Sequence, residues 1–256
     1  MLNSIVPPKI LGVIPARFAS TRFPGKPLVE IAGKPMIQHV WERARQSRFL
    51  GQILIATDDD RIAQASTAFG AEVCLTRDDH PSGTDRVAEA AGTTDAAIIV
   101  NIQGDEPLID PAAIDKAIVA LLDDPKCEMA TLKKRIESTN DIENPNVVKV
   151  VTSHDGYGLY FSRHPIPYNR GGDAIYWKHI GLYVYRRELL FRYSSLKPGV
   201  LEQNEKLEQL RALENGIGIR VAETAYETIG VDTPEDLLSV QSLFLQDSST
   251  SATKHG

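Results

Sequence analysis

Three short segments of this chain hold the residues best suited to phosphate chemistry. The first is residues 15–27, PARFASTRFPGKP, with Arg17, Arg22, Lys26 and one glycine in a short loop. Placed after a strand, such a loop can wrap a polyphosphate with backbone amides while Arg17 and Lys26 neutralise its charge. A solvated basic turn has the same composition, and the loop alone leaves both readings open. It is not a Walker A loop, because no Ser or Thr follows Gly25-Lys26. The second segment is Asn101-Ile102-Gln103-Gly104-Asp105-Glu106-Pro107. An aspartate just beyond a central strand, beside a glycine that permits close approach, is where a magnesium–phosphate complex can sit. The third is Gly230-Val231-Asp232-Thr233-Pro234. Magnesium takes one or two carboxylates and completes its shell with phosphate oxygens and water. Asp105 and Asp232, from distant strand ends, suit that role as a pair. Thr233 suits the cap of the following helix, which leaves Asp232 available.

The frame for these segments follows from hydrophobic periodicity. Residues 9–14 form a short apolar run that predicts a buried strand, and 53–56, 73–76 and 96–102 predict three more. Between them, 35–48, 60–69 and 84–91 have helical spacing, and Asp110-Pro111 opens a helix to about residue 122. Asp60 is the expected cap of the second of these helices, and Gly70 its end. Such alternation predicts an α/β fold with a parallel sheet covered on both faces. Ligands of such sheets bind beyond the carboxyl ends of the strands, here the loops 15–27, 57–59, 77–86 and 103–108. Asp58, Asp59 and Asp60 read as a loop and helix start, not a metal site. Gly33-Lys34-Pro35 reads as a turn.

After residue 128 the pattern changes. Residues 129–136, 147–151, 159–163 and 180–185 predict strands, some with antiparallel-like alternation; 205–215 predicts a helix. A last strand and turn, 220–231, precede a helix capped by Thr233 with Pro234 at its first position. No linker separates the halves. The expected organisation is one domain over 1–245, with a first half at 9–125, an elaboration at 126–220, a return to the core at 221–245 and a flexible tail at 246–256. Arg163 suits a carboxylate, and Glu208 and Gln209 suit sugar hydroxyls. Composition alone does not separate these roles from ordinary ion pairs.

A net charge of −6 argues against broad binding to nucleic acid or anionic membranes. No apolar run approaches a membrane span, and the N-terminus lacks the pattern of a signal peptide. Cys74 and Cys127 form no C-x-x-C pair, so a zinc site or disulfide framework is not expected; Cys74 reads as a buried small hydrophobe. A reducing cytoplasm fits these features. The glycine fingerprint of nicotinamide-dependent dehydrogenases is absent.

Taken together, the segments resemble the 3-deoxy-manno-octulosonate cytidylyltransferases. The resemblance runs from about residue 10 to 243 through IPARFASTRFPGKPL, ATDDDRI, SGTDRVAE, NIQGDEPLI, PNVVKVV, FSRHPIP, HIGLYVYRRELL, LEQLRALENG and GVDTPEDL. It implies a three-layer nucleotide-diphospho-sugar transferase fold with a mostly parallel central sheet and a smaller second lobe, usually a homodimer, in which 9–125 is the nucleotide-binding half and 126–220 the sugar-binding and dimerisation elaboration. It implies transfer of CMP from CTP to the anomeric hydroxyl of 3-deoxy-D-manno-octulosonate (Kdo), with pyrophosphate released, for lipopolysaccharide biosynthesis. By the resemblance, Ala16, Arg17 and Lys26 meet the nucleotide, with Ser82, Gly83, Arg86 and Gln103 near the cytidine. Asp105 and Asp232 hold Mg2+, and both act in catalysis with Arg17 and Lys26. Arg163, His179, Tyr183, Glu208 and Gln209 line the sugar pocket. Phe18 and Phe23 depart from the usual aliphatic residues of the first loop. A cytidylyltransferase for sialic acid or 8-amino-Kdo would keep the same nucleotide loop, so only the sugar pocket separates these readings. A catalytically silent nucleotide-binding module has no need of Asp105 and Asp232.

Overall fold

A computed structural model describes residues 8–19 and 23–252, the side chains of 246–252 excepted. The first unit runs β1 (Ile10–Ala16), a 3-10 turn (Lys26–Leu28), the hairpin β2 (Glu30–Ile31) and β3 (Lys34–Pro35), and α1 (Met36–Ala44). Then come β4 (Gln52–Thr57), α2 (Asp60–Ala68), β5 (Glu72–Leu75), α3 (Gly83–Gly92), β6 (Ile98–Asn101) and α4 (Pro111–Leu122). The rest is β7 (Met129–Arg135), α5 (Thr139–Glu143), β8 (Lys149–Thr152), β9 (Gly158–Ser162), β10 (Trp177–Arg186), α6 (Arg187–Tyr193), α7 (Val200–Glu205), α8 (Leu210–Glu214), β11 (Ile219–Glu223) and α9 (Pro234–Ala252).

The main sheet has the order β11-β7-β10-β6-β1-β4-β5. β1 is parallel to β4 and β6, β4 to β5, and β11 to β7; β10 alone on this path runs antiparallel to both its neighbours. The chain therefore leaves β1 toward β4 on one side and returns to β6 on the other. A crevice opens at such a reversal, beyond the carboxyl ends of the strands. It lies between the loops that follow β1 and β6, the two that carry Lys26 and Asp105. β8 and β9 extend the sheet sideways from β10, so the second lobe is built on the same sheet.

Each face of the sheet buries its own core, as alternation along the strands requires. Ile10 and Ile14 of β1 pack with Ile37, Val40 and Ile114 of α1 and α4 on one side. Leu11 and Val13 pack with Val87, Leu190 and Leu210 of α3, α6 and α8 on the other. Three layers result. A third cluster, Ile31, Met36, Val231 and Val240, ties the hairpin to α9. It holds the segment carrying Asp232 against the first unit.

Several local expectations change. Asp59, not Asp60, caps α2, accepting from the Arg61 amide. The 205–215 helix is broken: Lys206 is left-handed at φ 54°, and α8 starts only at Leu210. Cys74 is half-buried, because β5 is an edge strand; Cys127 is the buried thiol. α9 continues through Ala252, past the expected boundary at 245, and the rest of the predicted tail, 253–256, lies outside the described residues. The turn at Gly33 holds, with Ala32 and Gly33 both at positive φ between β2 and β3.

Gly104 is demanded by close approach, since a Cβ there would stand 2.8 Å from the Pro15 carbonyl oxygen. Gly104→Ala is expected to lower unfolding free energy by about 1–3 kcal/mol, the usual cost of overpacking, measured by urea denaturation.

Candidate active site

The loop after β1 is closed by the Gly25 amide, which donates to the Phe18 carbonyl at 3.0 Å. Gly25 takes φ 72°, a conformation that glycine adopts without steric cost. The chain then enters the 3-10 turn, with Pro27 fixing its start. Arg61 stacks on the Phe18 ring, 3.3 Å from its centroid, which pins the loop to α2. These contacts turn Lys26 back beneath the end of β1. Lys26 Nζ donates to Asp105 Oδ2 at 2.7 Å and to Asp232 Oδ1 at 3.2 Å.

The two aspartates, 127 positions apart in sequence, thus converge on one cation. A backbone bridge fixes them, the Val231 amide donating to the Asp105 carbonyl at 2.9 Å. Asp236 accepts from the Asp232 and Thr233 amides, and its own amide donates to Thr233 Oγ1, a reciprocal cap that sets the start of α9. Beside Asp105, the Glu106 carboxyl is buried and pushed up to about 7 by desolvation and the Asp105 charge, against the Tyr226 hydroxyl, which donates to it at 3.0 Å.

A cavity of about 280 Å³ opens here, lined by Pro15, Ala16, Arg17, Lys26, Pro27, His80, Ser82, Gly83, Arg86, Gln103, Gly104, Asp105 and Asp232. Every residue expected at the nucleotide or metal therefore lies on one cavity wall. Arg22 lies outside the described residues. Arg17 is exposed. Ser82 caps α3, accepting from the Asp85 amide at 3.2 Å, so a helix N-terminus and its amides border the cavity. Arg86 is buried and turns part of its guanidinium to Asp58 Oδ2 at 3.0 Å and to Thr76 Oγ1. His80 was not singled out by sequence. Its Nε2 meets Glu89 Oε2, which fixes the ring at the cavity wall. The signal available was its position in the loop after the third parallel strand.

The residues fit a magnesium ion. Lys26 already sets a positive charge between two carboxylates, where a divalent ion can sit. No group of three His, Cys, Asp or Glu that could cage a metal occurs among the described residues. The ion would have to share phosphate oxygens, as magnesium commonly does.

Of the expected sugar residues, His179 and Tyr183 lie on β10, Arg163 just after β9, and Glu208 and Gln209 just before α8. A second cavity of about 510 Å³ shares Ser82 with the first and is lined by Asp85, Glu202, Glu208 and Arg211 among others. Burial raises the Glu208 carboxyl above its ordinary value, opposed by Thr84 and Arg211. Glu208 Oε1, Gln209 Nε2 and Asn101 Oδ1 are buried without a hydrogen-bond partner. Orphaned polar atoms of this kind call for a ligand or water. His179 and Tyr183 alternate with core residues along β10, their rings 5.4 Å apart. Burial holds the Tyr183 hydroxyl well above its ordinary value, so it stays a donor. Burial also pushes His179 down to about 3, leaving a neutral ring with Nε2 3.0 Å from Thr131 Oγ1. Arg163 is placed differently. Its guanidinium donates to the carbonyls of Glu205, Pro145 and Lys206 at 2.7, 2.9 and 3.4 Å. It braces the break between α7 and α8 and lines neither cavity.

The chain matches the cytidylyltransferase family model over residues 11–226. A relative from Solibacter usitatus, a 3-deoxy-manno-octulosonate cytidylyltransferase, is 62% identical over 93% of this chain and 96% of its own. Another of that name from Geobacter sulfurreducens is 56% identical over 90% of this chain and 97% of its own. The solved structure of CMP:2-keto-3-deoxy-manno-octonic acid synthetase complexed with CTP superposes with a TM-score of 0.90 at 48% identity, covering 93% of this chain and 99% of that one. The chain belongs to the cytidylyltransferase family, and within it to the 3-deoxy-manno-octulosonate cytidylyltransferases.

Two measurements follow from this geometry. His179 binds a proton near pH 6.5 when unfolded and only near pH 3 when folded, so its contribution costs stability as pH falls through that window. Wild type is expected to lose stability between pH 6.5 and 4 more steeply than His179→Gln in parallel urea titrations. Arg163→Ala removes three main-chain contacts across the break between α7 and α8 and is expected to lower unfolding free energy by about 1–3 kcal/mol, measured by urea denaturation.

Proposed function

We propose that the protein transfers CMP from CTP to the anomeric hydroxyl of Kdo, releasing pyrophosphate, and supplies the activated sugar for lipopolysaccharide assembly. The observation that carries this reading is the convergence of Lys26, Asp105 and Asp232 beside the N-terminus of α3. The sugar oxygen attacks the α-phosphorus, the bond to the bridging oxygen of the β-phosphate breaks, and the hydroxyl proton passes to solvent. Arg17 and Lys26 hold the triphosphate and offset the charge that grows on the leaving pyrophosphate. Ala16, Ser82, Gly83, Arg86 and Gln103 shape the wall that receives the nucleoside. Mg2+ held by Asp105 and Asp232 would neutralise phosphate charge and make the attacking hydroxyl more acidic. Neutral His179, protonated Tyr183, Glu208 and Gln209 offer donors and acceptors to the sugar hydroxyls. No protein nucleophile is needed, because positioning and charge do the work.

The proposed assembly is a homodimer in the cytoplasm. Its support is the exposed apolar surface of the second lobe, where Leu159 is 62%, Tyr168 88% and Ile175 50% exposed. Among the described residues, no helix is long and apolar enough to cross a membrane.

Incubation with magnesium, CTP and Kdo is expected to give CMP-Kdo and one pyrophosphate, identified by mass. Turnover of sialic acid or 8-amino-Kdo in place of Kdo would overturn the sugar assignment. Asp105→Ala is expected to lower kcat about a hundredfold or more while the KM for CTP changes only a few-fold. Near wild-type turnover at saturating magnesium would remove Asp105 from the reaction.

A further inference from the structure

Asp105 and Asp232 share a cation supplied by the chain itself. Lys26 Nζ stands 2.7 Å from one carboxylate and 3.2 Å from the other, and its side chain is only 16% exposed. An ammonium at these distances occupies the space a divalent ion would need, and two cations that close repel strongly. Resting on the magnesium reading above, we propose that Lys26 is an internal counter-ion that keeps the metal position closed until a nucleoside triphosphate draws the ammonium away. The nucleotide then admits the metal.

Three observations carry this. The backbone at Lys26 is fixed, since the Gly25 carbonyl accepts from the Leu28 amide at 2.9 Å and the Lys26 carbonyl from the Val29 amide at 3.2 Å. Movement therefore resides in the four-carbon side chain, which can swing its charge without moving the loop. Ala16, Arg17, Ser82 and Gly83 line the same cavity, so a triphosphate seated there offers the ammonium partners of higher charge. With no third carboxylate in reach among the described residues, the aspartate pair alone is a poor cage for magnesium, which leans on phosphate oxygens. The ammonium and the missing phosphate thus act in the same direction: both keep the metal out of the free enzyme. The benefit is electrostatic. The free enzyme never holds two bare carboxylates side by side, and the metal enters only when its reaction partner is seated.

The test uses Mn2+ as the probe, with free Mn2+ read by electron paramagnetic resonance on the full chain. Without CTP, wild type is expected to bind Mn2+ weakly. Lys26→Met is expected to bind it at least tenfold more tightly, and Lys26→Met/Asp105→Asn to lose that gain. The melting temperature of Lys26→Met should rise on adding Mn2+ by more than that of wild type. If Lys26→Met does not fold, Lys26→Gln serves, because it removes the charge and keeps a donor. Mn2+ affinity of the CTP-free charge-removed variant equal to wild type overturns the counter-ion role. The metal site itself is judged separately: Asp105→Asn is expected to lower the Mn2+ bound per CTP-loaded chain, and no change there would overturn the magnesium reading.

Discussion

Two carboxylates held side by side at a protein surface repel each other, and the fold answers with a clamp. The Val231 amide bonds the Asp105 carbonyl, the Tyr226 hydroxyl bonds the neighbouring Glu106, and Lys26 sets its ammonium against both aspartates. The clamp joins three places in the chain: the loop after β1, the loop after β6 and the segment before α9. Each reaches it for a separate reason. Gly25 turns the first loop back, Gly104 lets the second approach the Pro15 carbonyl, and Val231 buries itself against Ile31, Met36 and Val240.

The sugar side follows another logic. Asn101, Glu208 and Gln209 each leave a buried polar atom unmatched. Such an atom costs about 1–3 kcal/mol when nothing bonds it. β10, antiparallel to β6 and β7, sets His179 and Tyr183 among core residues. Another set of contacts holds the short stretch between α7 and α8. There Lys206 takes a left-handed turn, Arg163 ties down carbonyls, and Arg211 pairs with Glu202 at 2.6 Å.

The parallel half of the sheet was legible because apolar runs and helical spacing alternate there without interruption, and the loops that follow its strands hold the unusual residues. The pairing of Asp105 with Asp232 was legible as chemistry, two oxygen ligands from strand ends, but not as geometry. The backbone bond that joins them leaves no trace in side-chain pattern. The break at Lys206 was hidden because residues 205–215 keep helical spacing, and only the backbone angle reveals it. Asp59 outcompeted Asp60 as a cap by one position, within a run of three identical acids. His80 escaped notice because its partner, Glu89, lies on the next helix. Arg163 shows the limit of residue type as a guide: a guanidinium suits a carboxylate, yet here it serves three main-chain carbonyls.

In the proposed reaction one divalent ion, shared by Asp105 and Asp232, would sit against the nucleotide's phosphates. Crystals grown with Mn2+ and a non-hydrolysable CTP analogue, measured at the manganese edge, test it directly. One anomalous peak is expected within coordination distance of both carboxylates and of a phosphate oxygen, with Lys26 moved off the aspartates. A peak bound by neither aspartate, or by only one with Lys26 unmoved, would contradict it.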